Sequence, residues 1–353
     1  MKHKLKRQGY KGMRFVTTER MLDTANAARK ALKKLKVPHI NIQEIHFTKF
    51  ACGEVKPKIM KNVRNKDVFL FFDFNGHPNQ DLMNCFLTID ALNLAGAGSI
   101  TLVLPYIPYL RQDRKDEPRV SISAALVIRF LQHCSRVTRV ITIDMHSEQL
   151  QAVFTIPTDH LPGSVIFGPW AKNEFAGQFD NLVVVAPDFG SAKRARKLAE
   201  QIDSSVGVAI LEKKRDATGV EMLSIIGESV KGKTCLINDD MMDTCGTIIK
   251  AANALYAQGA AKVMLSATHA IFSPTKETTV DEAIATGKPA EYISTAYEKL
   301  AEANVQVVVT DSLQTENHKW LTVLPLGNYL AQVILKNITG GSVSTLIREG
   351  LSK

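Results

Sequence analysis

The chain alternates short runs of β-branched and apolar residues with amphipathic segments, and this rhythm restricts the fold more than any other feature. The runs lie at 67–72 (DVFLFF), 99–105 (SITLVLP), 139–144 (RVITID), 181–188 (NLVVVAPD), 207–212 (GVAILE), 234–239 (TCLIND), 262–269 (KVMLSATH) and 305–312 (VQVVVTDS). Unbroken apolar runs of this length are what strands buried on both faces require. Between them, segments 79–97, 121–134, 191–202 and 246–260 carry apolar residues at helical spacing. Strand and helix in alternation predict a parallel α/β architecture. The series restarts after the Pro/Gly-rich passage TDHLPGSVIFGPW (158–170), which predicts two α/β halves within 353 residues, each long enough to bury a core.

Composition removes several classes of function. A hydrophobic fraction of 45% and a charged fraction of 22% exclude disorder as the main state. No apolar run approaches the roughly 18 residues that span a bilayer, and no apolar region follows the N-terminal charges, so neither membrane insertion nor secretion is expected. Five scattered cysteines without a CxxC pair argue against a zinc or redox centre and for reduced thiols in the cytoplasm. The net charge of +9 suits anionic partners. Much of it sits in MKHKLKRQGYKGMR, where six of fourteen residues are Lys or Arg. Without interleaved aromatic residues this segment reads as a solvated tail, and nucleic acid is not an expected partner.

Two stretches imitate nucleotide motifs. GESVKGKT (227–234) fits the phosphate-loop pattern G-x-x-x-x-G-K-[ST]. That pattern works only when a helix follows, because the helix amides hold the phosphate. Here the strand-like TCLIND follows, and a strand-turn-strand hairpin is expected instead. LAGAGSIT (94–101) precedes a strand and reads as a helix exit.

Ligands in open α/β sheets gather at the carboxyl ends of strands. There, Asp144 and His146 would share a face if the strand alternation continues, which suits a divalent ion or a hydrogen-bonded structural histidine. Asp188, before Gly190, suits either a ligand or a helix start. Arg111, Arg114, Lys115 and Arg119 surround Gln112 and Asp113 after one strand, and Lys213, Lys214 and Arg215 follow another; such cations neutralise a polyphosphate in transfer. INDDMMDTCGT (237–247) combines Asp239, Asp240 and Asp243 with Thr244, Cys245, Gly246 and Thr247. The acids are acceptors for a vicinal diol and the turn offers amides and hydroxyls for a phosphate, so a sugar phosphate satisfies both.

DDMMDTCGT resembles the phosphoribosyl-pyrophosphate loop of type I phosphoribosyltransferases. With PYIPYLRQDRK, IDMHSEQLQAVFTIPTDHL, VVVAPDFGSAKRARKLA and EKKR in order, the chain is similar to the ribose-phosphate pyrophosphokinase family. The resemblance implies an α/β fold of two similar phosphoribosyltransferase-like domains, each a mostly parallel sheet flanked by helices. The expected layout is a basic tail 1–12, a first domain 13–162 joined by a returning helix at about 324–337, a second domain 163–323 and a tail 338–353. It further implies transfer of pyrophosphate from ATP to ribose 5-phosphate. Lys213 and Arg215 would be catalytic. Arg215, Asp239, Asp240 and Asp243 to Thr247 would bind ribose 5-phosphate. Phe50, Cys52, Gly53 and Glu54, reaching a neighbouring subunit, would bind ATP with Arg111, Gln112 and Asp113. His146, Asp188 and Asp144 would serve Mg2+ (or Mn2+), inorganic phosphate would activate, and dimers would assemble into a hexamer.

The sequence departs from the family pattern in four places, one of them Thr155, which stands where many members carry an Asp while Asp159 remains. Cys52 replaces an Asp or Asn, DEPRV (116–120) replaces a more basic segment and leaves Arg119, and residues 278–304 lengthen a connection.

Overall fold

The computed structural model describes residues 12–37, 39–74, 77–215, 221–273, 275–276, 292–293 and 295–351. The basic segment 1–11 and most of the 278–304 stretch lie outside the described residues. For Lys213, Lys214 and Arg215 the backbone alone is described.

In chain order the elements are β1 (Met13–Thr17), α1 (Leu22–Lys34), β2 (Asn41–Lys49), β3 (Val55–Ile59), β4 (Asp67–Phe71), α2 (Pro78–Leu94), β5 (Ser99–Val103), α3 (Ser123–His133), β6 (Val137–Ile143) and β7 (Thr158–Leu161). There follow α4 (Ser164–Glu174), β8 (Leu182–Ala186), α5 (Ala192–Ile202), β9 (Gly207–Arg215), β10 (Glu221–Gly227), β11 (Thr234–Met242), α6 (Gly246–Ala257), β12 (Lys262–Ala270) and the two-residue strands β13 (Thr275–Lys276) and β14 (Tyr292–Ile293). The chain closes with α7 (Thr295–Glu302), β15 (Gln306–Thr310), β16 (Leu321–Leu324), α8 (Gly327–Thr339) and α9 (Val343–Glu349).

Two compact units result. One comprises the described residues up to Pro162 with Ser312–Gln314 and everything from Pro325; the other is Gly163–Asp311 with Thr315–Leu324. The first contains the sheet β3-β2-β1-β4-β5-β6-β7 and the second the sheet β10-β9-β8-β11-β12-β15-β16. In each, the one antiparallel pairing is the outermost, β2 with β3 and β9 with β10. Counted from its own first strand, each sheet has the same order, so the expected pair of similar, mostly parallel domains is present.

The apolar runs are explained by the packing. In β8, Val183 and Val185 enter one core with Ile248, Ala252 and Leu255 of α6, while Val184 and Ala186 enter the opposite core with Leu198 and Ile202 of α5. A strand sandwiched in this way has no face left for polar residues. α5 turns Ala195, Leu198, Ala199 and Ile202 inward, at helical spacing, and leaves its cations outside.

The expected hairpin at GESVKGKT is a correction. β10 pairs with β9 at the sheet edge, whereas β11 runs between β8 and β12, so the turn joins strands three places apart. Neighbours in sequence are not paired here because β11 carries the apolar run that a central strand needs. The Lys-Thr step still enters a strand, which rules out a phosphate loop at 227–234.

The returning helix α8 begins at Gly327, after Leu321–Leu324 has formed the edge strand β16. It packs on α1 closely enough that a Cβ at Gly327 would lie 2.4 Å from Ala27 Cβ and 3.0 Å from the Ala28 nitrogen. Tyr329 Oη reaches the Pro162 carbonyl at 3.4 Å, and Asn337 Nδ2 donates to Asp159 Oδ2 at 2.8 Å. The segment expected as a tail at 338–353 contains α9, capped by Ser342 Oγ, which accepts from the Thr345 amide. Gly327→Ala is expected to destabilise the first unit by about 1–3 kcal/mol, the range for overpacking, read from chemical unfolding with the two units followed separately.

Candidate active site

In the second unit the strand order reverses between β8 and β11, since β8 leads through α5 to β9 and β11 leads the other way through α6 to β12. A crevice at the carboxyl ends of such a reversal is the usual ligand site of open α/β sheets. β11 pairs with β8 only as far as Ile237 opposite Val185, but with β12 as far as Met242 opposite Ala270. Asp239 and Asp240 therefore stand past the end of β8, facing the loop that starts α5.

That loop is organised by Asp188, whose Oδ1 accepts the Ser191 amide at 2.8 Å just ahead of α5. Asp188 thus serves the helix start with one oxygen; the side chain is exposed, and its Oδ2 bonds to no described residue. The first turn of α5 delivers Arg194, a residue that sequence reasoning missed. Its Nη1 lies 3.1 Å from Asp239 Oδ1 and 3.3 Å from Asp240 Oδ1. Ser191 Oγ at 3.4 Å and the Asp240 amide at 2.9 Å also donate to Asp239 Oδ1. Burial and the charge of Asp240 push the Asp239 carboxyl up to about 7, against the pull of Arg194. Asp240 is buried, with 4% of its surface exposed, while Asp239 is partly open.

The chain then turns through Asp243 and Thr244 into α6. Cys245 holds a left-handed φ of 60° immediately before the helix, a conformation costing an L-residue about 1–2 kcal/mol. Its thiol packs with Met242 and Ile248 in the core, and burial, then the Asp243 charge, push it up to about 12. Cys245 therefore offers the loop its backbone and not its sulfur. At Gly246 a Cβ would meet nothing within 4 Å, and Thr244 and Thr247 are exposed. The open helix N-terminus, with its unpaired amides and positive dipole end, favours an anion.

Lys213, Lys214 and Arg215, expected beyond a strand ending at 212, form the last three residues of β9, paired with Leu223, Met222 and Glu221 of β10. Strand pairing holds their backbone at the edge of the same sheet.

In the first unit, Asp144 and His146 do not share a strand face, contrary to expectation. β6 ends at Ile143, and Asp144 turns to a φ of 38°, its amide bonded to the Leu161 carbonyl. Asp144 is buried and His146 exposed. Burial and the Asp144 charge both raise the phenol of Tyr329. His160, unforeseen from the sequence, accepts the Met145 amide on Nε2 at 3.0 Å and fixes this turn. Nothing in TDHL distinguishes such a histidine beforehand.

Arg111, Gln112 and Asp113 follow β5, where Gln112 is anchored to the start of α3: Ser123 Oγ donates to its Oε1 at 2.6 Å, and its carbonyl accepts the Ala124 amide. Phe50 to Glu54 form the tight β2–β3 turn, closed by the Phe50 amide to the Glu54 carbonyl. Phe50 is 45% exposed, with Lys56 Nζ 5.8 Å from its ring centre. β2 and β5, from which the two groups extend, are three strand spacings apart, roughly 14 Å.

Among the described residues no three His, Cys, Asp or Glu side chains are grouped as a metal cage. Mg2+ is commonly held by one or two carboxylates with waters and substrate phosphates, and exposed Asp188 suits that mode. No helix of the described residues is long and apolar enough to cross a membrane.

Comparison with known proteins agrees with these features. A family profile described as the N-terminal domain of ribose phosphate pyrophosphokinase matches residues 18–134, and one described as the phosphoribosyl transferase domain matches 166–297. Ribose-phosphate pyrophosphokinase of Campylobacter jejuni is 37% identical over 90% of this chain and 94% of its own length. That of Bordetella parapertussis is 42% identical over 71% and 79%. The crystal structure of phosphoribosylpyrophosphate synthetase from Mycobacterium smegmatis is 31% identical, covers 94% of this chain and 100% of its own, and superposes with a TM-score of 0.78. The chain belongs to the ribose-phosphate pyrophosphokinase family.

Proposed function

We propose that this protein transfers the β,γ-pyrophosphoryl group of ATP to the C1 hydroxyl of ribose 5-phosphate, giving phosphoribosyl pyrophosphate and AMP. The observation that carries the reading is an acid pair, partly open at Asp239, followed within one loop by an open helix N-terminus at Gly246. The diol and the phosphate of one sugar phosphate answer these two features. In this reading Asp239, with Asp240 behind it, orients the ribose hydroxyls, Asp243 shapes the turn, and the α6 amides with Thr244 and Thr247 hold the 5-phosphate. The C1 oxygen attacks the β-phosphorus, its proton passes to solvent or phosphate, and the bond from the β-phosphorus to the oxygen bridging to the α-phosphate breaks. Lys213 and Arg215 neutralise charge on the moving group, and positioning with charge neutralisation supplies most of such catalysis.

Arg111, Gln112 and Asp113 are assigned to ATP, as are Phe50, Cys52, Gly53 and Glu54 acting on a neighbouring subunit. Mg2+, or Mn2+ in its place, neutralises phosphate charge when bound. Asp188 is the carboxylate we assign to it, with His146 as a contact through water or nucleotide. Buried Asp144 is better suited to support than to ligation. Activation by inorganic phosphate, a hexamer built from dimers and a cytoplasmic location complete the reading; the five cysteines, none in a disulfide, fit the last.

Mixing the protein with ATP, Mg2+ and ribose 5-phosphate should give AMP and a pyrophosphorylated sugar by phosphorus NMR. ADP instead of AMP, or no product, would overturn the assignment. Because DEPRV replaces a more basic segment, ADP is expected to inhibit by simple competition with ATP; cooperative inhibition at saturating ATP would contradict this.

A further inference from the structure

The contacts of Arg194 carry a step beyond the assignment of the acid pair, resting on the reading of this crevice as the ribose 5-phosphate site. Three donors converge on one oxygen of the Asp239 carboxylate, which also meets the Asp240 side chain. Oδ1 receives Arg194 Nη1 at 3.1 Å, Ser191 Oγ at 3.4 Å and the Asp240 amide at 2.9 Å. The same Nη1 bridges to Asp240 Oδ1 at 3.3 Å. One guanidinium nitrogen thus sits between two adjacent carboxylates, of which Asp240 is only 5% exposed in its side chain. Two buried like charges this close repel unless a cation separates them.

α5 fixes where that cation lies. The inward row Ala195, Leu198, Ala199 and Ile202 locks the helix to the sheet, and the Asp188 carboxylate holds its first turn. Arg194 is therefore placed by the scaffold and not by the ligand. The donors on Oδ1 hold the Asp239 carboxylate in place beside Asp240.

We infer that Arg194 is a positioning residue for ribose 5-phosphate: it pins Asp239 Oδ1, holds Asp239 and Asp240 together as anions, and so presents the acid pair to the ribose hydroxyls. The group does not touch the reacting phosphorus. Its charge also opposes the burial and the Asp240 charge that raise the Asp239 carboxyl. The groups facing Asp239 are Asp240 on its own strand, Ser191 just ahead of α5 and Arg194 in its first turn; its neighbour on β12, Ala267, brings no charge. Loss of Arg194 removes the cation from this set, and Asp239 then holds its proton to higher pH.

The test uses the full chain with ribose 5-phosphate varied at saturating ATP and Mg2+ between pH 6 and 9, comparing Arg194→Gln, Arg194→Lys and Asp239→Asn. For Arg194→Gln the KM for ribose 5-phosphate is expected to rise about 10- to 100-fold at pH 7.5, with kcat changed by less than about threefold, the pattern of lost substrate binding. The pH below which that KM climbs should move up by about one unit. Arg194→Lys should recover most of the affinity, and adding Arg194→Gln to Asp239→Asn should cost little more than Asp239→Asn alone.

An unchanged KM in a folded Arg194→Gln enzyme, or a loss with neither a pH shift nor rescue by Lys, overturns the inference. If Arg194→Gln fails to fold, Arg194→Lys with a KM and pH limb identical to wild type supports the role, and a collapse of affinity in that variant overturns it. An Asp239→Asn enzyme that binds the sugar normally would instead overturn the site reading itself, so the two failures are separable.

Discussion

Lys213→Ala is expected to lower kcat by about 1,000-fold or more while leaving the KM for ribose 5-phosphate within about threefold. Pyrophosphoryl transfer gives a protein little covalent work, and charge spreads over the oxygens of the moving group only as its bonds loosen. A cation that meets this charge is felt in the transition state and hardly in the ground state, so its removal appears in kcat. The backbone of Lys213 is paired with Leu223 within the β9–β10 ladder, and an Ala there keeps the ladder. The melting temperature should therefore be unchanged, which separates this loss from misfolding. A decrease of less than about tenfold would remove Lys213 from the chemistry.

Asp239→Asn should raise the KM for ribose 5-phosphate about 10- to 100-fold, the equivalent of one hydrogen bond to a charged group. It should also change the pH dependence. The wild-type carboxyl is pushed up to about 7, so Asp239 accepts from the sugar above that pH and loses affinity as protonation proceeds below it. The Asn variant lacks that limb. Stability carries the opposite sign, because a carboxyl whose folded pKa exceeds its unfolded value near 3.9 favours folding fully only at low pH, and the contribution is lost as pH rises to 7. The melting temperature of Asp239→Asn relative to wild type should accordingly be more favourable at pH 8 than at pH 4. Calorimetry at the two pH values reads this directly, and no difference would mean that Asp239 is ionised throughout.

Much of the architecture was legible because a central strand must be apolar on both faces. The runs at 181–188 and 262–269 could form little else, and they correspond to β8 and β12. The edge strands were less legible. β3 (VKPKI) and β16 (LTVL) carry partly exposed, mixed residues, so their sequences lack the signal that burial imposes. Asp144 and His146 were misjudged because the strand rule holds only while the backbone stays extended, and Asp144 turns to positive φ. The acid and threonine residues at 239–247 were recognisable, since contiguous residues in one turn bring their own geometry. Arg194 was not: AKRARK contains four cations, and which of them meets the acids depends on where α5 begins, fixed by the Asp188 to Ser191 bond.

Cys245 gives the loop a redox character that its sequence would not suggest. A thiol at the tip of a substrate loop ordinarily invites oxidants and electrophiles, because the thiolate is the reactive form. Here the sulfur is turned into the core and its proton is held to about pH 12. Hardly any thiolate exists in the physiological range, so peroxide or an alkylating reagent finds no nucleophile in the loop we assign to the sugar phosphate. The left-handed turn that swings the sulfur inward leaves the polar rim of the loop to threonine hydroxyls and main-chain amides, groups that oxidation does not alter.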